Sequence, residues 1–429
     1  MKNLFSMGIF DQVTSFLPKN PFRGDHFYAL DIGTEWIKVL LIKRVKQYGE
    51  VLGVGKVRQR LSDMQGGIVT DIWGVVENCK VALEEADTQA GVTADQVIVG
   101  IAGELVKGYT TTISIVRELA EKKIDLEELQ SIVKDIQWKA FEQVRKEIRW
   151  ESGYDNIDIK LVNAAIVDVQ IDGYRITNPL GFQGKHVTIG VFNAFAPLVH
   201  VGALQTIIEE LGMRLLAIAA EPYAVARTIE NKEAGDLSAI FIDIGGGTTD
   251  IALVQKGGLV GTKMFALGGR AFTKRIADVF SISFEEAEQM KLSFSAKGLS
   301  KADERAVKEA LEPDCAVWMQ GVEIIIEEFA EAQDMLPPNI LLCGGSAALP
   351  ELMEVLRSYP WAKKQKMLRK PEIVLMTPDL VSNIKDSVGA LHSQQDITPM
   401  GLGNLGLQLA GEEKVLDKVI RTVTGMVNT

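Results

Sequence analysis

The stretch FIDIGGGTTDIAL at residues 241–253 is an apolar strand that breaks on Gly245, Gly246 and Gly247 and then resumes. Glycine loses more backbone freedom on folding than any other residue and brings no side chain to pack. A chain that keeps three in a row inside a strand needs bare backbone there, with N–H groups that something can approach closely. Asp243 precedes the glycines, and Thr248 and Thr249 follow them. Backbone nests of this kind bind phosphate oxygens. A carboxylate at a strand end holds Mg2+, usually through the ion's waters. The threonine hydroxyls can donate to phosphate.

A second stretch, ALDIGTEWIKVLLI at 29–42, repeats the pattern of strand, Asp-Ile-Gly, Thr and strand, with Asp31, Gly33 and Thr34 in the matching places. The repetition hints at an internal duplication, each half built around one such hairpin. A third glycine turn lies in NILLCGGSAALPELMEVL at 339–356, where a buried strand meets Gly344, Gly345 and Ser346 and then a helix. Any one of these could be a tight hairpin with no ligand. Together they argue for two clamps that grip one polyphosphate, with Asp31 and Asp243 facing the same cleft and Mg2+ between them. No Walker-type G-x-x-x-x-G-K-[ST] run occurs.

The rest of the chain bounds the class. Its 429 residues, 47% hydrophobic and 24% charged, suit two or three packed domains rather than disorder. A formal net charge of −11 argues against nucleic acid as a partner. Cys79, Cys315 and Cys343, like the four histidines, are scattered without metal spacing. Residues 27–44 read as two strands around a turn, 71–90 as a helix and 96–103 as a buried strand. Residues 104–186 change texture into a small α+β insert, with a polar helix at 125–149. A strand at 186–195 reads as the return to the main body.

The three turns, in this order, resemble the phosphate-1, phosphate-2 and adenosine motifs of the actin-like ATPase superfamily. That resemblance implies an α/β, two-domain actin-like fold, a duplicated ribonuclease-H-like architecture with ATP and Mg2+ in the cleft. Within it, GGIVTDIWGVVENCKVALEEADTQAGV (66–92), QVIVGIAGELVKGY, NPLGFQGKHVTIGVFNAF (178–195), LGGRAFTKRIADVFSISFEEAEQMK (267–291) and DSVGALH (386–392) resemble the bacterial cell-division FtsA family. The place of the insert is the more specific mark. AAEPYAVAR is similar to the related pilus assembly family PilM, which stays open as the alternative. The implied divisions are 25–103 with 187–236 as the first domain, 104–186 as the insert and 237–392 as the second domain, with a closing helix near 380–392. A linker at 393–411 follows.

By the same resemblance, Asp31, Gly33 and Thr34 form one phosphate clamp, and Asp243, Gly245, Gly246, Gly247 and Thr248 the other. Gly344, Gly345 and Ser346 would border the nucleoside. Glu288 and Lys291, three apart on one helix face, would lie near the adenosine or form an exposed ion pair. Glu221, before Pro222, would orient or activate the attacking water, or else stabilise the helix that follows. The resemblance implies ATP binding and leaves open whether ATP is split at a useful rate. The implied role is a polymerising scaffold at the inner membrane surface of the division site, with self-association into filaments and a tubulin-like division protein as partner. A metabolic kinase is the rival class, but the insert carries no charged cluster suited to a small substrate.

Both ends carry apolar stripes. In EEKVLDKVIRTVTGMV (412–427), Val415, Leu416, Val419, Ile420 and Val423 share a helical face opposite Lys414, Lys418 and Arg421. On a glycine-rich link this fits a membrane anchor, or a helix packed on its own core. It lacks the aromatic residues of the FtsA pattern. Residues 1–24 place Phe5, Ile9, Val13, Phe16 and Leu17 on one face, as a second anchor, a docking helix or core.

Overall fold

The computed structural model describes residues 24–46, 48–153, 157–229, 238–255, 258–361, 365–367, 369–410, 419 and 423. The strands are β1 (His26–Ile32), β2 (Trp36–Val45), β3 (Tyr48–Arg58), β4 (Met64–Gln65), β5 (Ile68–Val69), β6 (Gln96–Ile101), β7 (Lys107–Val116), β8 (Ile159–Ile171) and β9 (Tyr174–Arg175). They continue as β10 (His186–Pro197), β11 (Arg214–Ala220), β12 (Ala239–Ile244), β13 (Thr249–Gln255), β14 (Gly258–Phe265), β15 (Asn339–Cys343), β16 (Glu372–Leu375) and β17 (Ile384–Asp386). The helices are α1 (Ile72–Ala90), α2 (Leu126–Ser152), α3 (Leu198–Glu210), α4 (Glu221–Ala226), α5 (Gly269–Phe280), α6 (Phe284–Ser295), α7 (Lys301–Ala332), α8 (Pro350–Ser358) and α9 (Ile397–Ala410).

The duplication hinted at by the two hairpins is present in the sheets. The first sheet runs β11-β6-β1-β2-β3-β17, and the second contains β16-β15-β12-β13-β14. In each half three strands form an antiparallel meander, and two further strands add in parallel on the far side of the first. The parallel additions need helical crossovers, which α1 and α3 supply in one half and α5 to α8 in the other. Close packing of α1 on β3 depends on Gly53 and Gly55, where a Cβ would stand 2.0 Å from the Ala86 carbonyl oxygen and 1.7 Å from that of Ala82.

The insert departs from the expected boundaries. Strand β10, read as part of the first domain, pairs with β7 and β8 instead. The inserted unit therefore ends with β10, and its sheet joins the second domain's through β14 and β7. The chain enters this unit from the first sheet but hydrogen-bonds to the second.

The segment after the second domain also differs. The return to the first domain near 380–392 is a strand, β17, paired parallel with β3, and not a helix. The stretch 393–411, expected as a flexible linker, is largely the buried helix α9. Its glycines are contact points rather than hinges: a Cβ would meet Ala224 O at 2.8 Å from Gly401, Ile42 Cδ1 at 2.4 Å from Gly403 and Phe27 Cε2 at 2.4 Å from Gly406. Small residues let α9 lie directly on the first sheet and α4, close to the cleft.

Candidate functional site

The β1–β2 and β12–β13 hairpins face each other across one cleft with a cavity volume of about 270 Å³. Asp31, Gly33, Thr34, Asp243, Gly245, Gly246, Thr248, Glu288, Lys291, Gly344, Gly345, Ser346 and Glu221 all line it. Gly247 does not. It lies against the β4–β5 turn, where a Cβ would stand 3.1 Å from Gly66 Cα and 3.2 Å from Thr34 Oγ1. Thr249 is a second correction. Its hydroxyl is buried in the second domain, donating to Leu267 O and accepting from Trp318 Nε1 at 2.9 Å, so it cannot serve a phosphate.

Each turn is held by its own geometry. Gly33 N donates to Trp36 O, and Gly245 N donates to Thr248 O at 2.9 Å. The third turn is bound to the second, because Ser346 Oγ donates to Gly245 O at 3.1 Å. Helix α5 starts on the same loop, with Gly269 N on Gly245 O and Arg270 N on Gly246 O. Thr398, on α9, donates to Asp243 Oδ2 at 2.7 Å. A helix whose composition reads as a linker thus reaches the site.

The electrostatics are dominated by carboxylates. Lys38 Nζ lies 3.1 Å from Asp31 Oδ2. Burial opposes the lysine's charge, but Asp31, with Asp243 and Asp396 farther off, holds its ammonium above the usual lysine range. Glu221 opens α4, and its Oε1 is buried with no hydrogen-bond partner among the described residues. Burial, then Asp31, Asp250 and Asp243, push its carboxyl well above the usual range. Burial likewise raises Asp243, against the opposing bond from Thr398.

Glu221 therefore binds a proton more tightly in the folded chain than in the unfolded one. Its contribution to stability is full below the unfolded carboxylate pKa and is lost as pH rises through the folded value. Without nucleotide and in a chelator, Glu221→Gln is expected to melt higher than the parent at pH 8 and to flatten the decline in Tm between pH 5 and 8. Each kcal/mol relieved corresponds to roughly 2–4 °C for a domain of this size. Parallel melting curves for the two proteins across that range would refute this account of the carboxylate.

Glu288 and Lys291 point inward, with side chains 14% and 10% exposed. Lys291 Nζ is 2.8 Å from Glu288 Oε2 and donates to Gly269 O and Thr273 Oγ1. The pair braces α6 against the start of α5 as well as bordering the cleft, so it is not the exposed ion pair of the alternative reading.

Sequence reasoning misses the groups that join the domains. Arg270 Nε lies 2.7 Å from Glu35 Oε2, and its other nitrogens donate to Thr34 O at 2.6 Å and Met64 O at 3.1 Å. Thr34 Oγ1 accepts from Gly67 N, which leaves its own proton free to donate. Asp250, paired in register with Asp243, also lines the cleft.

A cation with a polyphosphate fits this residue set. Asp31, Asp243 and Glu221 bring three carboxyl groups together in low dielectric, and a divalent ion would stabilise carboxylate charge there. No set of three or more protein groups placed to hold a metal directly occurs among the described residues. An ion held through water and phosphate matches that arrangement better than one caged by side chains. No helix among the described residues is long and apolar enough to cross a membrane. Val415, Leu416 and Ile420 of the terminal stripe, and all of 1–23, lie outside the described residues. Val419 and Val423 are described, and both are fully buried at 0% exposure.

Comparison with known proteins adds likenesses. A profile described as "Cell division protein FtsA" matches residues 240–387. Cell division protein FtsA of Streptococcus pneumoniae is 25% identical over 418 residues, covering 89% of this chain and 87% of that protein. FtsA of Bacillus subtilis is 24% identical over 349 residues, 77% of this chain and 75% of that protein. FtsA of Pseudomonas aeruginosa is 23% identical over 425 residues, 94% and 93%. Among solved structures, a PilM–PilN type IV pilus biogenesis complex aligns with TM-score 0.64 at 17% identity, covering 89% of this chain and 98% of that one.

Proposed function

We infer, for a chain that is an actin-like relative of the cell-division protein FtsA, that it binds ATP with Mg2+ in the cleft and uses the bound state to scaffold division at the membrane. The observation that carries this reading is the pair of glycine hairpins set face to face, with Asp31 and Asp243 at their strand ends. Backbone N–H groups of the Gly33 and Gly245–Gly246 turns, with the Thr34 and Thr248 hydroxyls, would take the phosphates. Asp31 and Asp243 would hold the waters of Mg2+, which neutralises phosphate charge when bound. Gly344, Gly345, Ser346, Glu288 and Lys291 would bound the nucleoside. Glu221 would accept a proton from water at its unpartnered Oε1, a role that needs the carboxylate ionised and therefore the nearby acids neutralised.

On this reading the chain self-associates into filaments, sits on the inner face of the cell membrane and recruits a tubulin-like division filament. The relatives' division role and their extent along the chain support it. The test is ATP binding to purified protein, followed by electron microscopy on a lipid monolayer with and without nucleotide. Asp243→Ala should weaken Mg-ATP binding at least tenfold, and a chelator should do the same to the parent. Unchanged affinity in both would remove the phosphate role.

A second reading, a cytoplasmic scaffold of pilus assembly, is favoured by the fold likeness to the PilM–PilN structure. Depletion in the parent bacterium separates the two. Undivided, elongated cells support the first, and normal division with loss of pili supports the second.

A further inference from the structure

Val419 and Val423 stand four residues apart, one above the other on a single helical face. Both are at 0% exposure, in one apolar cluster with Leu129 of α2, Val169 of β8 and Ile189 of β10. The sheet beneath them presents apolar rows in register: Ile115 beside Val187 beside Ile171, and Ile113 beside Ile189 beside Val169. Helix α2 lies against β7 and β10. Strand β8 lies beyond β10, and its Val169 and Ile171 share the cluster with the two valines.

We propose that the chain is seated on the inserted subdomain at Val419 and Val423, against the sheet face that α2 also covers, and that this seat and a lipid surface compete for those two valines. The lipid half of the statement rests on the membrane reading above; the seat does not. The residues buried here belong to the same stripe that would enter a bilayer, so one copy of the segment cannot satisfy both. The reach is short. Helix α9 ends at Ala410, and the nine residues to Val419 span at most about 30 Å. A tether of that length gives an effective concentration on the order of millimolar, so the seat is filled by the chain's own end unless something draws it away. Exchange between seat and lipid would then uncover the insert's apolar face whenever the chain attaches to a membrane.

Thiol labelling of the full chain tests the seat directly. The native cysteines Cys79, Cys315 and Cys343 are all buried, which keeps the background low. In lipid-free buffer Val423→Cys should react with a maleimide at least tenfold more slowly than Val199→Cys, at a position 70% exposed. Both should react alike in denaturant. Adding Val169→Ala on the insert side should speed Val423→Cys labelling severalfold, with the circular dichroism spectrum retained. It should also raise sedimentation with phosphatidylglycerol vesicles. Labelling of Val423→Cys as fast as Val199→Cys would overturn the seat, even if the chain still sediments with vesicles. Protection that fades on dilution would also overturn it, in favour of a seat on a second copy. Concentration-independent protection with no vesicle binding in either protein would keep the seat and remove the membrane reading.

Discussion

Replacing Lys38 by methionine is expected to destabilise the nucleotide-free chain by about 3–5 kcal/mol, the usual consequence of removing one partner of a buried ion pair. Methionine keeps the length and apolar stem of the side chain, so the change isolates charge from packing. The Lys38 and Asp31 side chains are 14% and 5% exposed, too sheltered for water to replace the lost partner. The effect extends beyond one pair, since Asp243 and Asp396 also raise the lysine. Without Lys38 the cleft keeps its carboxylates and loses the ammonium among them. The lysine's folded pKa lies above its unfolded one, so its contribution is fully present below about pH 10 and fades only above. The gap between parent and Lys38→Met should nevertheless widen from pH 6 to 9, because Lys38 also lowers the carboxyls of Glu221 and Asp243, which bind protons more tightly without it. Denaturant midpoints at unchanged slope measure it. Mg-ATP should stabilise the variant more than the parent if the ion takes over the missing charge. A midpoint equal to the parent's would mean that Asp31 does not depend on this partner.

The place of Lys38 follows from the length of its hairpin. A turn confined to Gly33–Trp36 forces Ile32 opposite Ile37 and Asp31 opposite Lys38, the register observed. A lysine directly across a strand from a cleft aspartate is thus legible in the sequence. The same arithmetic sets Asp243 opposite Asp250. Other features cannot be read that way. Arg270 and Glu35 meet across the two domains, and no local spacing encodes a contact between residues so far apart in the chain. The glycines at 401, 403 and 406 mislead because composition does not distinguish a flexible link from a helix in close backbone contact. Their neighbours Ile397, Met400, Leu402, Leu405 and Leu407, all buried, are the local sign that the segment packs. Strand β10 is hard to place for a related reason. Its alternation predicts a strand, but the choice of sheet depends on partners that only the assembled insert provides.

The third glycine turn offers the sharpest contrast between adjacent residues. Gly344 has φ +88° and ψ 161°, a region that residues with a side chain occupy only under strain of about 1–3 kcal/mol. A Cβ there would also stand 2.1 Å from Asp243 Oδ1 and 2.5 Å from Ile244 O. Neither obstacle is the loose end of a surface chain: one is a buried cleft carboxylate and the other is backbone. Overpacking adds about 1–3 kcal/mol, so Gly344→Ala is expected to lose about 2–6 kcal/mol in total and to displace Asp243 from Thr398. Gly345 is the control built into the same turn. It lines the cleft, yet a Cβ at that position meets nothing within 4 Å. Gly345→Ala should therefore fold within about 0.5 kcal/mol of the parent, while a nucleotide seated against this turn would meet the new methyl and bind several-fold more weakly. Equal stability of the two variants would show that the turn does not press on Asp243. A Gly345→Ala protein with parental stability and parental ATP affinity would place the nucleoside away from this turn.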